Sequence, residues 1–165
     1  MSKFKEQRVG VLVDVSNLYH SARAIYGRKV NFQNVLIDAV AGRKLVRAIA
    51  YAIKTTEGLE EKFFDALEKS GYDLKTKDLQ VFAGGQKKGD WDVGITVDAI
   101  KMSKSLDVIV LVSGDGDYVP LVEYLQATTG CRVEVMAFQE STSSKLIEQA
   151  DDYTNLSSSK KKFLI

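Results

Sequence analysis

At 165 residues, with 45% hydrophobic and 27% charged residues, the chain has the size and composition of one soluble globular domain with a full core. Its formal net charge of +1 excludes a polyanion binder that works through overall charge, so any nucleic-acid contact must come from local patches. One cysteine, Cys131, and one histidine, His20, exclude a disulfide framework, a cysteine zinc cluster and a histidine-rich metal centre.

The opening MSKFKEQRVG is charged and has no apolar leader, and no apolar run reaches the ~18 residues of a membrane helix. A cytoplasmic protein without a membrane partner is expected. RVGVLVDVSN reads as a first strand, β-branched and almost wholly apolar, and NLYHSARAIYG as a helix stopped by Gly27. NFQNVLIDAVAG spaces Phe32, Val35, Leu36 and Ala39 as one helix face. LVRAIAYAI is a second strand. TEGLEEKFFDALEKSG is a helix with Thr56 as its capping signal and Leu59, Phe63, Phe64 and Leu67 on one face. YDLKTKDLQVF alternates, the pattern of a third strand near a sheet edge.

DWDVGITVDAIKMSKS is a helix with apolar residues on two sides, expected to be sandwiched, and LDVIVLVSG is the fourth strand. DYVPLVEYLQATTG is helical, with Pro120 tolerated in its first turn. CRVEVMAF is the fifth strand, where Cys131 reads as a structural thiol, and STSSKLIEQADDYTNL is the last helix. Residues 1–156 form a single domain in this reading, and SSSKKKFLI, residues 157–165, is a disordered basic tail. Strands alternating with helices imply right-handed crossovers and a parallel sheet covered on both faces.

Ligands of such sheets bind beyond the carboxyl ends of the central strands. That places Asp14, ending the first strand, on one rim with Asp115 and Asp117 of VSGDGDY. KKGDWDVG adds Asp90 and Asp92 at the start of a helix. Singly, each acid has another reading: an Asp after a strand is often a helix N-cap, and GDGD suits a tight turn. Together they repel, by ~4 kcal/mol per pair at 4 Å and an effective dielectric near 20, and so call for a proton or a cation. Oxygen-only donors select magnesium, manganese or calcium. Asp98 lies about 9 Å along the helix from Asp92 and ~120° round it, so one ion cannot easily take both. Asp92 is nearer the rim and the first choice, with Asp98 the ligand instead if the helix starts late, or a group supporting the ligands. Trp91 fits either core packing or base stacking.

Four blocks, VGVLVDVSNLY, KKGDWDVGITVDAI, VIVLVSGDGDYVPLV and LIEQADDYTNL, together resemble the NYN domains, specifically the LabA-like branch of the PIN-like nuclease superfamily. They occur in the family's order and span most of the chain from the first strand to the last helix. Residues 28–80 carry little of the pattern. The resemblance implies an α/β three-layer fold, a parallel sheet of about five strands in the order 3-2-1-4-5 with helices on both faces. It also implies an acid cluster binding Mg2+ or Mn2+, and cleavage of RNA. Matched position by position, Asp14 is the first-strand acid and Asn17 the polar residue one turn later. Asp92 and Asp98 match the acids of the helix before the fourth strand, and Asp115 and Asp117 the last pair. Tyr118 stands where phenylalanine is more usual, and Trp91 replaces a small aliphatic residue.

The expected chemistry is metal-assisted phosphodiester hydrolysis. Asp14, Asp92 and Asp115 hold one ion, while Asp117 completes a second or orients water. Asn17 and Ser113 are candidates for binding the scissile phosphate or its water, and Lys87 and Lys88 for contacting the strand's phosphates or simply forming a solvated loop. Haloacid-dehalogenase-type phosphatases are disfavoured, since Asp14-Val15-Ser16-Asn17 lacks their second acid. A regulator that keeps the fold to bind RNA or protein without catalysis stands as the alternative. RNA and DNA are both open as substrates, as is a homodimer.

Overall fold

The computed structural model describes residues 3–55, 57–85 and 87–165, with Lys87 and Lys88 by their backbone alone. The apolar run of β1 (Arg8–Asp14) passes without a loop into α1 (Val15–Tyr26). The Asp14 side chain makes this possible, because it accepts from the Asn17 amide and caps the helix at the point where the strand ends. After α2 (Phe32–Val40) come β2 (Lys44–Lys54), α3 (Glu61–Lys69) and β3 (Asp73–Asp78). A short antiparallel pair, β4 (Gln80–Val81) and β5 (Lys87–Lys88), then leads to α4 (Asp92–Ser103) and β6 (Val108–Val112). The second half continues with α5 (Val119–Tyr124), β7 (Arg132–Ala137), α6 (Ser144–Gln149), β8 (Asp152–Asn155) and α7 (Lys160–Phe163).

The main sheet has six strands in the order β3-β2-β1-β6-β7-β8, all parallel. The five expected strands keep their expected order, with β1 and β6 at the centre and β3 at an edge. The sixth, β8, lies where the sequence read as the end of a helix. That helix stops at Gln149 because Ala150 is extended (φ −61°, ψ 145°), and Asp151 clamps Val133 by accepting from its amide. The free edge of β7 thereby gains a partner in Asp152–Asn155.

Alternation along β1 divides the core. Val9, Val11 and Val13 face α1, α2, α3 and α7, whereas Leu12 faces α4, α5 and α6. Residues 157–165, expected to be disordered, pack instead. Phe163 and Leu164 are buried in the first of these layers, Leu164 bridges Val30, and Asn31 donates its amide to the Phe163 carbonyl.

Other expectations shift at element ends. Leu59 precedes α3 and is 79% exposed, while Phe64 and Leu67 face the core as their spacing requires; the capping role expected of Thr56 lies outside the described residues. α4 is not sandwiched: Ile95 and Ala99 are buried against the sheet, but Val93 is 76% and Val97 44% exposed. Among the described residues no helix is long and apolar enough to cross a membrane.

Candidate metal centre

The parallel register sets the rim. Val13 of β1 pairs with Val112 of β6, so the next residues, Asp14 and Ser113, emerge side by side. Ser113 donates its hydroxyl to Asp14 Oδ2 at 3.2 Å, and its Oγ accepts from the Asp115 amide at 3.2 Å. Asn17, one turn into α1, accepts from the Gly114 amide at 3.0 Å. A Cβ on Gly114 would come within 2.9 Å of the Ser141 carbonyl oxygen, and one on Gly116 within 2.9 Å of Ser143 Oγ. The glycines of GDGD therefore let the loop after β7 press against the acidic loop and fix it.

Asp115 accepts from the Asp117 amide at 2.9 Å and opens a 3-10 turn, Gly116–Tyr118. On α4, Asp92 lies in the first turn; its amide donates to Asp90 Oδ1 at 3.2 Å. One carboxylate oxygen from each of Asp92, Asp115 and Asp117 lies within 4.8 Å of the other two. Asp14 adjoins this group through a shared donor: the Tyr118 hydroxyl reaches Asp92 Oδ1 at 3.1 Å and Asp14 Oδ2 at 3.4 Å. Asp14 is thus both helix cap and wall of the cluster, its two oxygens facing different tasks.

The electrostatics follow from this crowding. Burial, then the Asp115 charge, push the Asp92 carboxyl up to about 6; Asp90 and Asp14 add to the rise and the Tyr118 hydroxyl opposes it. Burial also lifts Asp14 above the ordinary carboxylate range, against hydrogen bonds from Asn17, Ser113 and Tyr118. Burial and the neighbouring carboxylates push the Tyr118 hydroxyl far upward, so it keeps its proton and can donate it to them. Asp92 and Asp14 therefore hold protons more tightly than isolated acids would, as crowded, partly buried carboxylates do.

The donor set fits a hard divalent ion. Ligands of Mg2+ at ~2.1 Å lie ~3.0 Å apart when adjacent and ~4.2 Å when opposite, so carboxylate oxygens already within 4.8 Å of one another would close by at most about 2 Å around an ion. Asp14, Asn17, Asp90, Asp92 and Asp115 line a groove of about 270 Å³.

Asp98 is elsewhere. Its Oδ2 accepts from Lys75 Nζ at 2.7 Å and from the Tyr51 hydroxyl at 2.8 Å. Partial burial favours its neutral form, but these two donors hold it below the ordinary carboxylate range. Trp91 takes the packing role of its two readings, donating its Nε1 hydrogen to the Ala52 carbonyl and resting on Tyr51. The side chains of Lys87 and Lys88 lie outside the described residues.

Two residues of the site escaped sequence reasoning. Tyr118 was seen only as a departure from a usual phenylalanine. His20, which as the single histidine served only to exclude a histidine-rich metal centre, lines the groove. It follows Ser16 and Asn17 by four and three positions, the spacing of one helix face, and that spacing was the signal available.

The geometry agrees with comparisons to known proteins. The profile of the NYN domain matches residues 8–157. The low amplitude and bright protein LabA of Synechococcus elongatus is 30% identical over 133 residues, which is 75% of this chain and 70% of that protein. A protein of unknown function from Vibrio parahaemolyticus has a crystal structure that matches with a TM-score of 0.89 at 33% identity, over 100% of both chains. With its profile match running from β1 to the residues just past β8, the chain belongs to the NYN domain family and has that family's nuclease-type fold.

Proposed function

We propose that the protein is a metal-dependent ribonuclease. The reading rests on one observation above all: the oxygens of Asp92, Asp115 and Asp117, drawn from α4 and the loop after β6, lie within 4.8 Å of one another beside the buried Asp14. Asp92, Asp115 and Asp117 would hold Mg2+ or Mn2+, with Asp14 flanking them. Such an ion supplies Lewis acidity toward a phosphate oxygen and lowers the pKa of bound water. The chain's own residues set the stage. Ser113 and Tyr118 fix the Asp14 carboxylate, and Tyr118 also fixes Asp92. Asn17 keeps the Gly114 amide in place, so the acidic loop holds its shape as a phosphate enters. Asp98 is left out of the ligand set because its carboxylate neutralises Lys75.

The test is cleavage of labelled single-stranded RNA with manganese or with EDTA. Wild type should cleave only with manganese, Asp115→Asn should lose at least about a hundredfold in rate (roughly 3 kcal/mol of barrier), and Asp98→Asn should stay within a few-fold of wild type. Cleavage that persists equally in Asp115→Asn indicates a contaminating nuclease and removes the support. No metal-dependent cleavage of any substrate moves the reading to a binding protein that keeps the fold.

A further inference from the structure

The groove has two unlike walls. One carries Asp90 and Asp92; the other is the first half of α1, which contributes Ser16, Asn17, His20 and Ser21. The whole of α1, VSNLYHSARAIY, contains no acid. Among the described lining residues, this helix is the wall without acids, so a polyanion entering the groove meets least repulsion at a bound cation and along this helix. On that helix the exposed His20 ring meets the exposed Tyr19 ring edge-on, with centroids 5.4 Å apart. The exposed Arg23 guanidinium lies 6.0 Å from the centroid of Tyr19. Farther along the same helix, Lys160 of α7 covers the Tyr26 ring at 4.9 Å. Aromatic faces interleaved with cations, continuous with the groove, are the elements with which proteins hold unpaired nucleotides.

From this the geometry points to a nucleotide-binding platform on α1: Tyr19 and His20 stack unpaired bases next to the scissile position, and Arg23 takes a flanking phosphate. This deepens the nuclease reading and rests on it for the position of the scissile bond. It gives the site a preference for single strands, because paired bases offer no free face to the rings.

The test reads binding apart from cleavage. A short fluorescein-labelled oligoadenylate RNA is titrated with the full chain in EDTA and followed by fluorescence anisotropy, beside an abasic strand and a duplex of equal length. The oligoadenylate should bind tighter than both. Tyr19→Ala and His20→Ala should each weaken it about 5- to 100-fold, while leaving the abasic strand and the melting temperature unchanged. Tyr19→Phe should bind like wild type, and Arg23→Gln should lower the salt dependence by about one counterion. Equal binding of oligoadenylate and abasic strand, or no binding of either, overturns the platform. So does wild-type affinity in both alanine variants. His20 is exposed, so His20→Ala keeps the test valid if Tyr19→Ala fails to fold. Cleavage that is metal-dependent but indifferent to both variants sinks the platform and spares the nuclease. Base-dependent binding without cleavage does the reverse.

Discussion

A single carboxyl, Asp92, links the chemistry of the rim to the stability of the fold. Its pKa is raised from 3.8 to about 6 by burial and by the Asp115 charge, so the folded chain holds its proton more tightly than the unfolded chain does. A raised acid contributes stability that is full below its unfolded pKa and is lost as pH rises through its folded one. The metal-free protein should therefore lose stability as pH climbs from about 4 through about 6, with Asp14 acting in the same direction. On the proposed reading a divalent ion would replace the proton, so manganese should raise the melting temperature more above about pH 6 than below it. Thermal melts of wild type and Asp92→Asn across that range check this. The wild-type slope should flatten in the variant, and an unchanged slope would mean that Asp92 is not the titrating group.

Among the elements, the C-terminal segment shows how a sequence signal can mislead. SSSKKK reads as a solvated tail, yet three apolar residues follow it, and two of them, Phe163 and Leu164, close the layer between α2 and the sheet. The lysines stay on the outside, where Lys162 pairs with Asp38. Phe163 is 2% exposed, so Phe163→Ala should destabilise by about 3–5 kcal/mol, the range for a large core truncation. Lys161→Ala, exposed on the same helix, should stay within about 0.5 kcal/mol. Urea unfolding of the two variants distinguishes a packed segment from a loose one, because a loose one predicts no difference between them.

At the scale of the whole molecule, the two ends of the sheet do different work. The carboxyl rim gathers like charges that the fold must tolerate. At the opposite end Arg43, just before β2, forms a bidentate pair with Glu134 of β7 at 2.8 and 3.0 Å and also bonds Gln7, ahead of β1. The pair reaches across β1 and β6, which lie between β2 and β7. Burial works against the Glu134 charge, but hydrogen bonds from Arg43 and Arg132 win and hold it below its ordinary pKa. A depressed acid stabilises above its unfolded pKa and loses that contribution as pH falls through its folded one. Arg43→Met should cost about 3 kcal/mol, the low end for breaking a buried pair, since Arg132 still bonds Glu134. Adding Glu134→Leu should recover part of that loss in denaturant melts, because the stranded charge is then gone.

Local pattern was enough for much of this protein. Apolar runs gave β1, β2, β6 and β7, and their alternation with helices gave the parallel sheet and the rim on which Asp14, Asp115 and Asp117 emerge, while the strand order came from the family resemblance. These features depend on period and polarity, which neighbouring residues carry. Contacts between distant segments decided the rest. Asp92 rather than Asp98 joined the cluster because Lys75, on another strand, claimed Asp98. β8 formed because β7 had an open edge, and residues 157–165 packed because α2 and the sheet left apolar surface to cover. His20 became part of the groove only when α1 was laid beside the loop after β6. Helix spacing already set His20 on the face of Ser16 and Asn17, and set Asp92 nearer the rim than Asp98. What each position meets, like the partners of β8 and of residues 157–165, lay far away in the chain, where local periodicity does not report it.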